Sequence, residues 1–386
     1  MKIYFIGQKG IPAQFGGVEK HVEELSVRLV EAGHEVFVYT RPNYTKPDLT
    51  KYRGVNLISL PSISTKNFDA ITHTFRACLD VWRRDADVIH FHSIGPSSLI
   101  WLVKLLKPGV PVVSTFHSKC YLHKKWGLFA RFYLRLGEKS ACNAADFTIA
   151  VSKSLTRYVK NRYGREICYI PNGAESGKKV GAREIKKWGL ENGNYILIVA
   201  RLIKVKGIQY AIKAFNGLKI NKKLVIVGDN VYADRFSDLL KKSAKGNKNI
   251  IFTGTQSGRT LAELFSNAYF FIQSSELEGL SVALLEAMSY GKAVLASDIP
   301  ENKEALGDAG FTFKSKDAND LGEKIKYILR NRRLLKKKEK LGRVRVKNFY
   351  NWDKIAEETI TVYKEALLGK NKSAKLKFVR RFISLF

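Results

Sequence analysis

Glu278 and Glu286 stand eight positions apart in Ser274-Ser-Glu-Leu-Glu278-Gly279-Leu280-Ser281-Val-Ala-Leu-Leu-Glu286-Ala-Met288, a run that follows an apolar stretch ending at Gln273. Ser281 is placed to cap a helix, and the free N–H groups and positive dipole end of that helix suit a diphosphate. Glu278 then reaches out from the loop and Glu286 from the helix two turns on. A carboxylate accepts two parallel hydrogen bonds, which matches the vicinal hydroxyls of a ribose. Burying two carboxylates for packing alone is unfavourable, so the pair reads as ligand-binding.

A second element, Arg201-Leu-Ile-Lys-Val-Lys206-Gly207, falls where a strand pattern gives way to a helical one. Two fixed cations there suit phosphate oxygens, with surface solubility as the competing reading. A third is the loop Gly7 to Glu19, whose paired Gly16-Gly17 lets backbone approach a bulky anion; turn geometry alone is the alternative. Its glycines fall too late for a dinucleotide fingerprint and no acid ends the second strand, which disfavours a nicotinamide enzyme. His117 ends the strand pattern Pro111–Phe116, on the rim where α/β sheets bind ligands. Of His90 and His92, the first reads as core and the second as a rim candidate. Asp85 and Asp87 resemble a metal pair but precede a strand, and read as solvent-facing or turn residues.

These groups need elements to hold them. Short β-branched runs alternate with amphipathic ones from Lys2 to Ile170, with Val18–Ala32, Ser97–Leu106 and Lys153–Tyr163 as helices, and the rhythm restarts at Tyr195 after a polar, glycine-bearing stretch. Strands alternating with helices at this spacing give parallel sheets through right-handed crossovers. The chain therefore reads as α/β, with two doubly wound units over residues 1–173 and 174–350. A helix over 351–368, opened by Asn351-Trp352, packs on one of them, and a tail covers 369–386.

With 386 residues and 45% apolar content, two or three domains and a large core are affordable. The 67 Lys and Arg against 35 Asp and Glu leave a formal charge of +32, which favours polyanions: nucleic acid, anionic lipid or phosphorylated substrates. Asn331–Lys347 concentrates that charge, either as a solvated helix face or as an anion-binding surface. No RNP-type, zinc-finger or helix-turn-helix pattern supports nucleic acid. No apolar run reaches ~18 residues, so no membrane span is expected. The N-terminus reads as a strand rather than a signal peptide, and four scattered cysteines fit a reducing cytoplasm. Two segments have the basic-amphipathic composition of a membrane surface. In Lys119–Arg135, Lys124, Lys125, Arg131 and Arg135 interleave with Trp126, Phe129, Phe132 and Tyr133, and a buried helix is the alternative. The tail from Gly369 to Phe386 has the same character, with disorder as its alternative.

Taken in order, the Glu278-x7-Glu286 segment, Arg201 with Lys206-Gly207, Gly16-Gly17, Phe116-His117 and Pro171-Asn172-Gly173 resemble the family 4 retaining glycosyltransferases of GT-B fold. The opening Gly7–Leu25 segment is similar to bacterial surface-polysaccharide rhamnosyltransferases. The resemblance implies two tandem Rossmann-like domains with an interdomain cleft and a C-terminal crossover helix. It implies a nucleoside-diphosphate sugar as donor, with Glu286 on the ribose and Glu278, Gly279, Leu280 and Ser281 around the sugar and diphosphate. Arg201 and Lys206 would neutralise the diphosphate, Gly16 and Gly17 would approach it, and His117 would sit by the sugar. It implies no cofactor and no metal. A lipid-linked or glycan acceptor at the cytoplasmic membrane face, an anionic membrane surface and no nucleic acid complete the expectation. Glu175 departs from the family's usual Asp. A sugar-nucleotide epimerase of the same architecture is the alternative, with a polyanion binder behind it.

Overall fold

The computed structural model describes residues 1–65, 68–122, 126–229 and 235–369. Lys124 and Lys125 and the tail beyond Gly369 lie outside the described residues. The chain divides into two units, Met1–Asn172 with the segment from Trp352 onward, and Gly173–Asn351.

In the first unit the β-branched and aromatic runs become strands: β1 (Lys2–Ile6), β2 (Glu35–Thr40), β3 (Lys51–Tyr52), β4 (Val55–Ser59), β5 (Val88–His92), β6 (Val112–Phe116), β7 (Phe147–Ala150) and β8 (Cys168–Tyr169). They form a sheet in the order β3-β4-β2-β1-β5-β6-β7-β8, parallel except for the β3–β4 pair. Helices α1 (Gly17–Glu31), α2 (Asp69–Trp82), α3 (Ile94–Ser97), α4 (Ile100–Leu106), α5 (Leu128–Asn143) and α6 (Lys153–Tyr163) connect them. Continuous apolar strands are what a sheet covered on both faces requires. α6 shows the local rules at work: Ser152 Oγ accepts the Leu155 N–H and Gly164 closes the helix in the left-handed conformation.

The second unit repeats the scheme with β9 (Tyr195–Val199), β10 (Lys223–Val227), β11 (Ile250–Gly254), β12 (Phe270–Gln273), β13 (Val294–Ser297) and β14 (Phe311–Phe313). Its sheet runs β11-β10-β9-β12-β13-β14, all parallel. Around it lie α7 (Ile208–Asn216), α8 (Arg235–Ala244), α9 (Gly258–Asn267), α10 (Val282–Ser289), α11 (Pro300–Leu306), α12 (Ala318–Arg330) and α13 (Arg332–Phe349). The basic run Asn331–Lys347 is thus mostly α13, and several of its cations are engaged by the unit itself: Arg345 donates to the carbonyls of Glu304 and Ala305, and Lys338 to that of Asp308.

The closing helix α14 (Trp352–Leu367) packs in the first unit, where Trp352, Ile355, Val362 and Tyr363 join the core with Val22 and Leu25 of α1. Half-buried Glu358 on this helix is pushed up to about 7, first by burial and further by Glu357. Its folded state therefore holds a proton that the unfolded chain releases near 4.5, and this contribution to stability falls as pH rises through that window. Buried His73 acts oppositely: lowered to about 4 by burial and Arg41, it loses stability as pH falls from 6.5. We expect Glu358→Gln to leave the Tm nearly unchanged at about pH 5 and to raise it increasingly up to about pH 8, read by calorimetry. A pH-independent difference refutes the assignment.

Two elements differ from the sequence expectation. Ser97–Leu106 is two short helices rather than one. The helix expected over Lys119–Arg135 begins only at Leu128, after a 3-10 turn at Cys120–Leu122. Asp85 and Asp87 are exposed loop residues, as expected, and they brace the first strand: Asp85 pairs with Lys2 Nζ at 2.6 Å and Asp87 accepts the Lys2 N–H at 2.7 Å.

Candidate functional site

In the second unit, the Arg201–Gly207 segment leaves the C-terminal end of β9 and makes one 3-10 turn, Lys204–Lys206, against the loop that leaves β12. The contact is made backbone to backbone. Glu276 N donates to Val205 O at 2.8 Å and Ser274 Oγ to Lys206 O at 2.9 Å. Gly207, with φ of +67°, lies so close that a Cβ would stand 1.9 Å from the Ser274 carbonyl oxygen. Tyr210 and Gln209 of α7 add bonds to Glu276.

This approach brings Lys206 onto Glu278, Nζ to Oε1, at 2.5 Å. Gln273, the last residue of β12, donates to the same Oε1 at 2.8 Å and to Ser275 Oγ at 2.9 Å. Glu278 is buried and held from one side, while its Oε2 makes no hydrogen bond among the described residues and is open to a sugar hydroxyl. Gly279 and Leu280 are buried in the loop that leads to α10. Ser281 Oγ accepts the Leu284 N–H at 3.3 Å, the cap expected, and the other first-turn N–H groups of α10 have no intrahelical acceptor. Glu286 is half-buried in the second turn of α10. Arg201 is exposed and its side chain makes no ion pair or hydrogen bond among the described residues, so the structure joins Lys206 to Glu278 directly but leaves Arg201 outside that pair.

In the first unit Gly16 caps α1 at φ of +104°, where a Cβ would lie 2.1 Å from Glu19 Oε2. Glu19 in turn accepts the Lys9 N–H, Glu23 the Ala13 N–H, and Tyr44 Oη those of Gln14 and Phe15. The glycine loop is therefore fixed by α1, whose helical residues begin at Gly17.

His117 follows β6 and is buried in a cluster. His92 Nδ1 lies 3.2 Å from His117 Nε2, and the His21 ring meets both. His90 is core as expected, with its nitrogens on Tyr363 Oη and Thr115 Oγ1 at 2.7 Å each. His92, the last residue of β5, is fully buried beside His117. Burial lowers all four imidazoles, His21 to about 4, so they are neutral near pH 7. His21 and Gln273 were not singled out from the sequence, and Asn172, which bonds His21, entered only as part of the Pro171-Asn172-Gly173 segment. The one signal for His21 was its place on the inward stripe of α1 beside Val22 and Leu25.

Two family models cover most of the chain: Glycosyltransferase Family 4 over residues 15–177 and Glycosyl transferases group 1 over 182–345. The chain is a family 4 glycosyltransferase of GT-B fold, a hexosyltransferase-type enzyme. It is similar to an uncharacterized glycosyltransferase of Methanocaldococcus jannaschii, 27% identical over 95% of this chain and 99% of that one. It is also similar to the phosphatidyl-myo-inositol mannosyltransferase of Mycolicibacterium smegmatis, 27% identical over 90% of each. The crystal structure of Anabaena HepE in complex with UDP-glucose shares the fold, with a TM-score of 0.79 at 16% identity over 95% of this chain and 100% of that one.

Proposed function

We propose that the enzyme moves a sugar, rhamnose, from a nucleoside-diphosphate donor to a lipid-linked or polysaccharide acceptor at the cytoplasmic face of the membrane, with retention at the anomeric carbon. The observation that carries the donor reading is the Lys206–Glu278 pair at the foot of the Ser281-capped helix. A cation, a helix N-terminus and a half-satisfied carboxylate occupy one loop cluster at the strand ends, with Glu286 on the same helix. UDP-glucose in the HepE complex supports a sugar nucleotide as donor. In the proposed reaction the bond from C1 to the diphosphate oxygen breaks, Lys206, Arg201 and the α10 N-terminus take up the developing charge, and the acceptor oxygen bonds to C1 on the same face while its proton passes to the departing phosphate. These cationic groups supply the neutralisation without a metal, and donor binding is expected to persist in EDTA.

A thermal-shift panel of nucleoside diphosphates tests the site. One base is expected to stabilise the protein by about 2.7 kcal/mol at 100 times its Kd. Glu286→Ala should weaken that nucleotide roughly 10- to 100-fold, the worth of a charged hydrogen bond. No nucleotide binding, or binding indifferent to Glu286, refutes the site. Product analysis separates transfer from epimerisation, which would yield an altered donor and no glycoside.

The membrane reading gains support from a face of the first unit. Helices α2, α4 and α5 pack side by side, and outward from them stand Trp82, Trp101 (56% exposed), Leu105 (70%), Leu128 (85%) and Phe129 (80%). Exposed Arg76, Arg135 and Lys139 lie on α2 and α5, and exposed Arg83 directly follows α2. Apolar side chains ringed by cations suit an anionic bilayer surface, and the mannosyltransferase relative, by its name, acts on a phosphatidylinositol lipid. No described helix is long and apolar enough to cross a membrane. Flotation with anionic vesicles is expected to recover the protein. Trp101→Glu with Phe129→Glu should reduce partitioning at least ~100-fold, from about 1.5–3 kcal/mol per large apolar side chain. Failure to float with anionic vesicles ends the membrane claim.

A further inference from the structure

Buried imidazoles are ordinarily satisfied at both nitrogens, as His90 is. The neighbouring trio is not. His21, His92 and His117 arrive from α1, β5 and the end of β6, and one ring nitrogen of each lies within 4.8 Å of the other two. His21 Nδ1 is bonded to Asn172 Oδ1 at 2.9 Å, an acceptor, which puts the proton on Nδ1 and leaves an unshared pair on Nε2. That Nε2 is buried without a partner, and so is His92 Nε2. An unmet buried nitrogen is unfavourable by about 1–3 kcal/mol, so the unshared pair of His21 Nε2 within this cluster calls for a ligand.

We propose that His21, His92 and His117 form a binding site for a divalent transition-metal ion of the zinc type. Tetrahedral Zn–N bonds of about 2.0–2.1 Å place ligand nitrogens roughly 3.3 Å apart. The His92–His117 pair already stands at 3.2 Å, so only a side-chain pivot of His21 is needed. Each imidazole is neutral in the fold and offers one unshared pair: His21 through Nε2, His92 through Nδ1 and His117 through Nε2. Binding asks the latter two to carry their protons on the opposite ring nitrogens, with no net proton released. Asn172 then acts as the outer partner that fixes the His21 ring, a recurrent feature of histidine metal sites. Three nitrogens without a carboxylate select zinc, cobalt, nickel or copper over magnesium and calcium, and three protein ligands leave a fourth position for water.

The test begins with the full chain stripped by chelator and titrated with Co²⁺. One equivalent should give the visible absorption of tetrahedral cobalt, displaced by Zn²⁺. His92→Gln should abolish the band, and Asn172→Ala, which removes no ligand, should weaken binding about 10- to 100-fold. His34→Gln, which removes the imidazole beside the N-terminal amine, should change nothing. Absence of stoichiometric binding, or a band that survives His92→Gln, overturns the site. Should the variants fail to fold, X-ray absorption on the zinc-loaded native chain decides: three nitrogens at about 2.0–2.1 Å support the site, and a sulfur or all-oxygen shell refutes it.

Discussion

Arg201→Ala should lower turnover by about 10²–10³, the loss typical of one preorganised group facing a developing charge, while the protein melts as the native does. The separation follows from the structure: the Arg201 side chain is exposed and bonds nothing among the described residues, and surface substitutions of that kind stay within about 0.5 kcal/mol. Lys206→Ala should lose as much turnover but also lose stability, because it strands Glu278, whose side chain is 9% exposed. Removing one partner of a fully buried pair costs about 3–5 kcal/mol. Lys206 keeps some contact with water, so about 1–3 kcal/mol is expected here. Adding Glu278→Gln should restore the melting temperature and leave transfer lost. Steady-state kinetics at saturating donor and calorimetry on the three variants read both effects, and an Arg201→Ala enzyme with undiminished turnover removes Arg201 from the site.

How far the sequence discloses this molecule depends on whether the deciding interaction is local. Most strands of both sheets are legible because parallel strands buried on two faces must be continuous apolar runs, as Lys2–Ile6 and Tyr195–Val199 are, while the edge strands β3 and β14 and the partly buried β4 are not. The α2 helix is not, since its core face is made of small or polar residues, His73, Thr74, Ala77 and Cys78 with Val81, while its bulkiest apolar residues, Phe75, Leu79 and Trp82, face outward. The single helix expected over Ser97–Leu106 fails for a local reason: Ser97 and Ser98 hydroxyls bond back to the carbonyls of Ser93 and Gly95, which competes with helix propagation. At the site the Ser281 cap and the carboxylate spacing are readable from neighbours a few residues apart. The Lys206–Glu278 pair joins positions 72 apart, and the His21–Asn172 bond joins positions 151 apart, so only the packed topology reveals them.

Gly207→Ala should nearly abolish transfer, with a milder loss of stability. The residue sits at φ of +67°, where a side chain costs about 1–2 kcal/mol. Its new Cβ would also lie 1.9 Å from the Ser274 carbonyl oxygen, which is backbone and cannot swing aside. Either the Lys204–Lys206 turn or the end of β12 must move, and overpacking of this kind adds about 1–3 kcal/mol. The movement falls on the joint that sets Lys206 against Glu278, and a misplacement of about 1 Å in a reacting array lowers rate by roughly 10². The control is Gly217→Ala ten residues on, where φ is −87° and the nearest atom to a new Cβ is 3.6 Å away. There the substitution should be neutral or slightly stabilising and leave turnover unchanged. A folded Gly207→Ala enzyme that transfers sugar at the native rate would show that the close backbone approach, and with it the seating of Lys206, is not what the reaction requires.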